Sequence, residues 1–172
     1  RDKLVTGVQT CALPIFRVQY PSSRPRSIKV ISLDQASARV VMDLARQTWN
    51  GASFFTSISF STERSPGDEH GTTLHAWLGD LAGRAIELTD EVSTADFVVV
   101  IASAGADAQA VSVIADACAA HSKSLLALLV PTKGQTDADV ARSLSHLRPY
   151  AKMLVVASDA DYCAAMLTAL RA

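Results

Sequence analysis

Apolar residues in this chain fall into two patterns. Unbroken runs at Phe97–Ser103 (Phe-Val-Val-Val-Ile-Ala-Ser) and at 125–130 (Leu-Leu-Ala-Leu-Leu-Val) have the length and continuity of strands buried on both faces. Between them Ala110, Val111, Ile114, Ala117 and Cys118 recur at helical spacing within 107–121. The segment from 96 to 131 is therefore predicted to run from strand through helix to strand at the centre of a sheet.

The same reading extends along the chain. A strand is predicted at 27–33, then a helix at 35–49 with Asp34 as N-cap, Val40, Val41, Leu44 and Ala45 as its stripe, and Asn50-Gly51 as its end. A strand follows at 53–60. Residues 61–71, with Ser65-Pro66-Gly67-Asp68, read as a long polar loop able to act as a lid. Leu74, Trp77, Leu78 and Leu81 lie at i, i+3, i+4 and i+7, which predicts a helix at 72–82 closed by Gly83. A short strand at 85–88 and a turn or single helical turn at 90–95 come next. Beyond 130, Thr136 and Asp139 form a capping box ahead of Val140, Leu144 and Leu147, with Pro149 past the helix end. A last strand is predicted at 152–157 and a last helix at 161–170. This alternation predicts one Rossmann-like α/β domain over 27–172: three layers, with a mainly parallel sheet of five or six strands.

The N-terminus changes the picture. Residues 5–15 (Val-Thr-Gly-Val-Gln-Thr-Cys-Ala-Leu-Pro-Ile) resemble a translated short-read sequencing adapter, so 1–16 are set apart from the fold. Residues 17–26, with two prolines and no periodicity, read as a flexible leader. Roughly 155 residues remain, enough for one domain with a sizeable core.

Of the 16 basic and 17 acidic residues, only Arg1, Lys3 and Asp2 fall in the first sixteen. The remainder is mildly acidic, with no basic run for nucleic acid or an anionic membrane. The longest apolar run is far short of a membrane span. Cys118 and Cys163 lie among alanines and read as small buried hydrophobes, with no disulfide framework or metal spacing. A reducing cytoplasm is the expected compartment.

In an open parallel sheet, ligands sit outside the carboxyl ends of the strands. The residues placed there are Asp34, Gln35 and Ser37 after the first strand; Ser103, Gly105 and Asp107 after Phe97–Ser103; Thr132, Lys133 and Gly134 after 125–130; and Ser158, Asp159 and Asp161 after the last strand. A phosphate site needs glycines and free helix amides. Here Asp34, Asp107 and Asp159 stand where the phosphate would come, as helix caps or as a convergent carboxylate site for Mg²⁺. Lys133 is the basic element of this edge. His70, His75, His121 and His146 are scattered without metal spacing, no nucleophile elbow is present, and Trp49 and Trp77 read as sheet packing.

The run Thr94-Ala95-Asp96-Phe97-Val98-Val99-Val100-Ile101-Ala102-Ser103-Ala104-Gly105 resembles the strand entering the signature loop of the FtsZ/tubulin family. Ile28-Lys29-Val30-Ile31 resembles that family's first strand, Ile114-Ala115-Asp116-Ala117 with 125–133 its next helix and strand, and 150–159 the strand after. The resemblance implies an N-terminal nucleotide-binding layout. The family's glycine-rich turns are replaced by Asp34-Gln35-Ala36-Ser37 and Ala104-Gly105-Ala106-Asp107-Ala108, and its second domain has no counterpart in the chain.

Three functions stay open: a non-catalytic Rossmann-like module for a small ligand or protein partner, an enzyme with a carboxylate site, or a degenerate FtsZ-like nucleotide-binding domain. No cofactor is assigned. A homodimer would cover the apolar, Ala-rich final helix.

Overall fold

The computed structural model describes residues 25–64, 72–106, 109–132 and 134–172. The adapter-like segment, leader residues 17–24, residues 65–71 of the predicted loop with His70, Asp107 and Ala108, and Lys133 lie outside the described residues. In chain order the elements are β1 (Ile28–Ser32), α1 (Gln35–Ala45), β2 (Ala52–Arg64), β3 (Thr72–Asp80), β4 (Ala85–Glu87), α2 (Leu88–Ser93), β5 (Phe97–Ser103), α3 (Ala110–Ala120), β6 (Ser124–Val130), α4 (Asp137–Leu147), β7 (Met153–Val156) and α5 (Ala160–Leu170).

The chain is an α/β protein with one mixed sheet, ordered β4-β3-β2-β1-β5-β6-β7. The pairs β1–β2, β1–β5, β5–β6 and β6–β7 are parallel, and β2–β3 and β3–β4 are antiparallel. Strand alternation sends successive side chains to opposite faces. Val98, Val100 and Ala102 of β5 join a core with Leu88 and Val92 of α2, Val111, Ile114 and Cys118 of α3, and Leu147 of α4. Val99 and Ile101 join a second core with Val41 and Leu44 of α1 and Cys163 and Leu167 of α5. Helices thus cover both faces. From β1 the chain crosses one way through α1 to β2; from β5 it crosses the other way through α3 to β6. The two crossovers lie on opposite faces, as crossovers of one hand moving in opposite directions must.

The predicted central unit holds: β5 and β6 are buried almost throughout. Three expectations are corrected. The sheet has seven strands among the described residues where five or six were expected; it is mainly parallel as expected, with two antiparallel joints besides. The helix predicted over 72–82 is β3, hydrogen-bonded to β2 from Phe55↔Asp80 to Arg64↔Thr72. Residues i and i+4 coincide in both periods, so Leu74 and Leu78 fit either; Ala76 and Leu78 are in fact buried two apart, while Leu81 is exposed. Gly79 and the paired threonines Thr72-Thr73 also suit a strand better than a helix. In consequence 61–64 of the predicted loop belong to β2. Finally, α1 ends at Ala45, not Trp49. Trp49 folds back, donating its indole N–H to the Leu44 carbonyl (2.7 Å) and packing against Phe54.

β2 outruns β1. Pairing with β1 stops at Ile31↔Phe55, and the register against β3 shifts between Phe55 and Ser57. The extra residue, Thr56, forms a bulge, which bends a strand and re-aims its side chains. Phe55 and Ile58, three apart, consequently face the same core. Beyond the bulge β2 and β3 run on past the end of β1, with β4 beside β3 as far as Trp77 and then, from Phe60↔Ala76 to Arg64↔Thr72, as a two-stranded ribbon, about 17 Å of chain at strand rise.

At the opposite edge, the Lys29 ammonium pairs with Glu91 of α2 and lies 3.4 Å from Ser53 Oγ. Gly51 is fixed by contact: a Cβ there would stand 2.3 Å from the Arg26 carbonyl oxygen.

Candidate functional site

The parallel strands bring the turns after β1 and β5 side by side, where the chain leaves in opposite directions. Asp34 joins them. Its Oδ1 accepts hydrogen bonds from the N–H groups of Ala36 and Ser37, both at 2.9 Å. Its Oδ2 accepts from the N–H of Ser103 at 2.7 Å. The Ser37 hydroxyl, fully buried, lies 3.0 Å from Oδ2 and 2.9 Å from the Asp34 carbonyl, and accepts from the Asp34 N–H. The predicted N-cap is thus confirmed as a capping box with serine at the third position. It is also a clamp on β5. A carboxylate offers about four acceptor sites. Three amides and a neighbouring hydroxyl occupy this one, leaving little for a metal, a proton transfer or a ligand donor.

The other predicted residues are held locally. Gly105 takes a left-handed turn (φ 82°), and its N–H donates to the buried Ser143 Oγ of α4 at 2.9 Å. A side chain at Gly105 would meet the Asp139 side chain at 3.4 Å, so this turn sits against α4 instead of opening to a ligand. The Thr132 N–H donates to Gln135 Oε1 (2.7 Å). Thr136 and Asp139 form the predicted capping box. Hydrogen bonds from the Thr136 amide and hydroxyl, with Arg142 beside it, hold the Asp139 carboxyl below its usual pKa. Asp159 caps α5 by accepting from Tyr162 N–H (2.8 Å) and from the Ser158 hydroxyl (3.0 Å). Asp34, Ser37 and Ser103 are therefore brought together. Gly105, Thr132, Ser158 and Asp159 make their hydrogen bonds elsewhere, and Gln35 is exposed. Among the described residues no group of three His, Cys, Asp or Glu side chains could hold a metal ion.

The open space lies beside Asp34, towards β2. A groove of about 290 Å³ is lined by Ser32, Leu33, Asp34, Gln35, Ala38, Thr56 and Ile58. Five of these seven were not singled out in the sequence. The bulge at Thr56 forms one wall and the first turn of α1 another. Ser32 is 1% exposed, and its Oγ is the one buried side-chain polar atom without a hydrogen-bond partner among the described residues. A hydroxyl following the apolar pair Val30-Ile31 in a buried strand was the available signal for it. Strand alternation puts Ser32 on the α1 face, with Ala38.

No protein-family model matches the chain, and no curated protein matches it.

Nucleophilic chemistry finds no support in the cysteines. Burial pushes the Cys118 thiol up to about 11; burial, with the Asp159 charge behind it, does the same to Cys163. Such thiols stay protonated near neutrality and are poor nucleophiles. No helix among the described residues is long and apolar enough to cross a membrane.

Proposed function

We propose that this chain is a non-catalytic Rossmann-like module of three layers, and that the groove at the root of the β2–β3 ribbon takes a small uncharged ligand. The observation carrying this reading is the saturation of Asp34. Its carboxylate already fills the position at the α1 N-terminus where an anion would bind, so the groove beside it has no free amide cluster for phosphate. Its apolar walls, Leu33, Ala38 and Ile58, suit a flat or aliphatic body. The unpartnered Ser32 hydroxyl supplies a polar partner at the floor, where an unmade hydrogen bond costs about 1–3 kcal/mol.

The test is an amide-resolved NMR titration of the full chain with adenosine, nicotinamide and caffeine, beside GTP with Mg²⁺. The expected result is a saturable shift at Leu33, Thr56 and Ile58 with an uncharged probe, lost in Ala38→Phe. No groove response to any uncharged probe would overturn the reading. A response to GTP would instead favour the FtsZ-like nucleotide domain, and one to Mg²⁺ alone, lost in Asp159→Asn, the carboxylate enzyme.

One observation favours a protein partner as a second reading. Along the ribbon, β2 beyond Phe55 and β3 before Trp77 have no further strand beside them among the described residues, and Phe60 is 46% exposed. A second copy adding its ribbon would pair those edges. The final helix gives no such reason, since Cys163 and Leu167 are already buried on the sheet. A clean monomer by sedimentation at high concentration would remove this reading.

A further inference from the structure

At the amino edge of the sheet, far from the groove, α3 and the α4–β7 connection leave a cavity of about 350 Å³. Its walls include Ala115, Cys118, Ala119, Leu125 and Tyr150. Lys123 and Lys152 also line it. Neither lysine forms an ion pair among the described residues, and the Lys152 ammonium donates a 3.3 Å hydrogen bond to Ser124 Oγ. Lysines at a helix C-terminus commonly serve its last carbonyls. Here those carbonyls are served by the backbone. Ser122 adopts a left-handed conformation (φ 55°), its N–H donates to the Ala119 carbonyl, and the Lys123 N–H donates to the Cys118 carbonyl. This is the Schellman arrangement, complete without either ammonium.

Two lysines without ion-pair partners therefore line an open cavity together with an aromatic residue and four small or apolar side chains. We propose that this cavity binds a small carboxylate with an apolar body, the carboxylate between Lys123 and Lys152 and the body against Ala115, Ala119, Leu125 and the Tyr150 ring. The small side chains at 115 and 119 leave the space, and the lysines neutralise the charge. This site is independent of the groove beside Asp34, and its failure would leave that reading untouched.

Fluorine NMR of 4-fluorobenzoate with the full chain tests it. Saturable binding is expected, weakened at least about tenfold in Lys123→Met and in Lys152→Met. Ala119→Leu, which fills the cavity, abolishes it, with circular dichroism to confirm the fold. Neutral 4-fluorobenzyl alcohol should not compete, and inorganic phosphate at matched ionic strength should compete poorly. Absence of saturable binding, or unchanged affinity in both lysine variants, overturns the proposal. Phosphate competing as well as the carboxylate would overturn the apolar-body part and leave a plain anion site.

Discussion

Asp34 Oδ2 and the backbone nitrogen of Ser103 lie 2.7 Å apart, although 69 residues separate them in the chain. This hydrogen bond ties the end of β1 to the end of β5 where the two crossovers diverge. The same carboxylate caps α1, so one side chain fixes a helix start and a strand end together.

Asp34→Ala should therefore cost more than an ordinary cap. Loss of the cap is worth about 0.5–2 kcal/mol, and the stranded Ser103 amide adds about 1–3 kcal/mol. Urea denaturation of the full chain is expected to show about 2–4 kcal/mol of destabilisation. Asp34→Asn, which keeps one acceptor oxygen, should fall well short of that. An alanine variant within about 0.5 kcal/mol of wild type would contradict the clamp.

That clamp was half legible. A residue ahead of an apolar helical run identifies Asp34 as a cap, because capping is a local event. The bond to Ser103 depends on which strands become neighbours, and strand order is set by the packing of the whole sheet. The same division runs through the fold. β5 and β6 were readable because strands buried on both faces are apolar without interruption. β3 was not, because Leu74, Trp77 and Leu78 satisfy a helical period while pairing with β2 decides otherwise. The groove was missed for a related reason: a bulge at Thr56 and a lone hydroxyl at Ser32 become a site only after β1, β2 and α1 meet.

Lys29 and Glu91 form an ion pair with side chains 10% and 22% exposed, at the contact between β1 and α2. Removing one partner strands the other charge. Glu91→Leu is expected to destabilise by about 2–4 kcal/mol, and Lys29→Met by less, because Glu91 keeps more contact with water. The double variant Lys29→Met with Glu91→Leu should recover most of the loss, since an apolar pair of similar volume carries no desolvation cost. Additive losses in that double-mutant cycle would show that the two side chains are not coupled.

The buried thiols give an alkaline limit. Cys118 and Cys163 have folded values of about 11 against an ordinary 9.0. Between these values the unfolded chain loses its thiol protons while the folded chain keeps them. Stability is thus unaffected by the thiols below about pH 9 and falls as pH rises towards 11. Denaturation midpoints measured from pH 8 to 11 should decline more steeply for wild type than for the Cys118→Ala, Cys163→Ala double variant. Parallel profiles would show that the thiols titrate normally.

The position of β1 has a consequence for synthesis. It lies inside the sheet, yet its neighbours come later in the chain: β2 pairs with it from Ala52, and β5 from Phe97. As the polypeptide emerges in order, β1 can gain its first partner when β2 appears, but its other edge stays bare until Ser103 has been made. During that interval β2 and β3 can close on each other as a local hairpin, while Val30 and Ile31 wait for the strand that buries them. The step that closes this edge is the arrival of β5, and a pause in translation before it would prolong the exposure of an unpaired apolar strand edge.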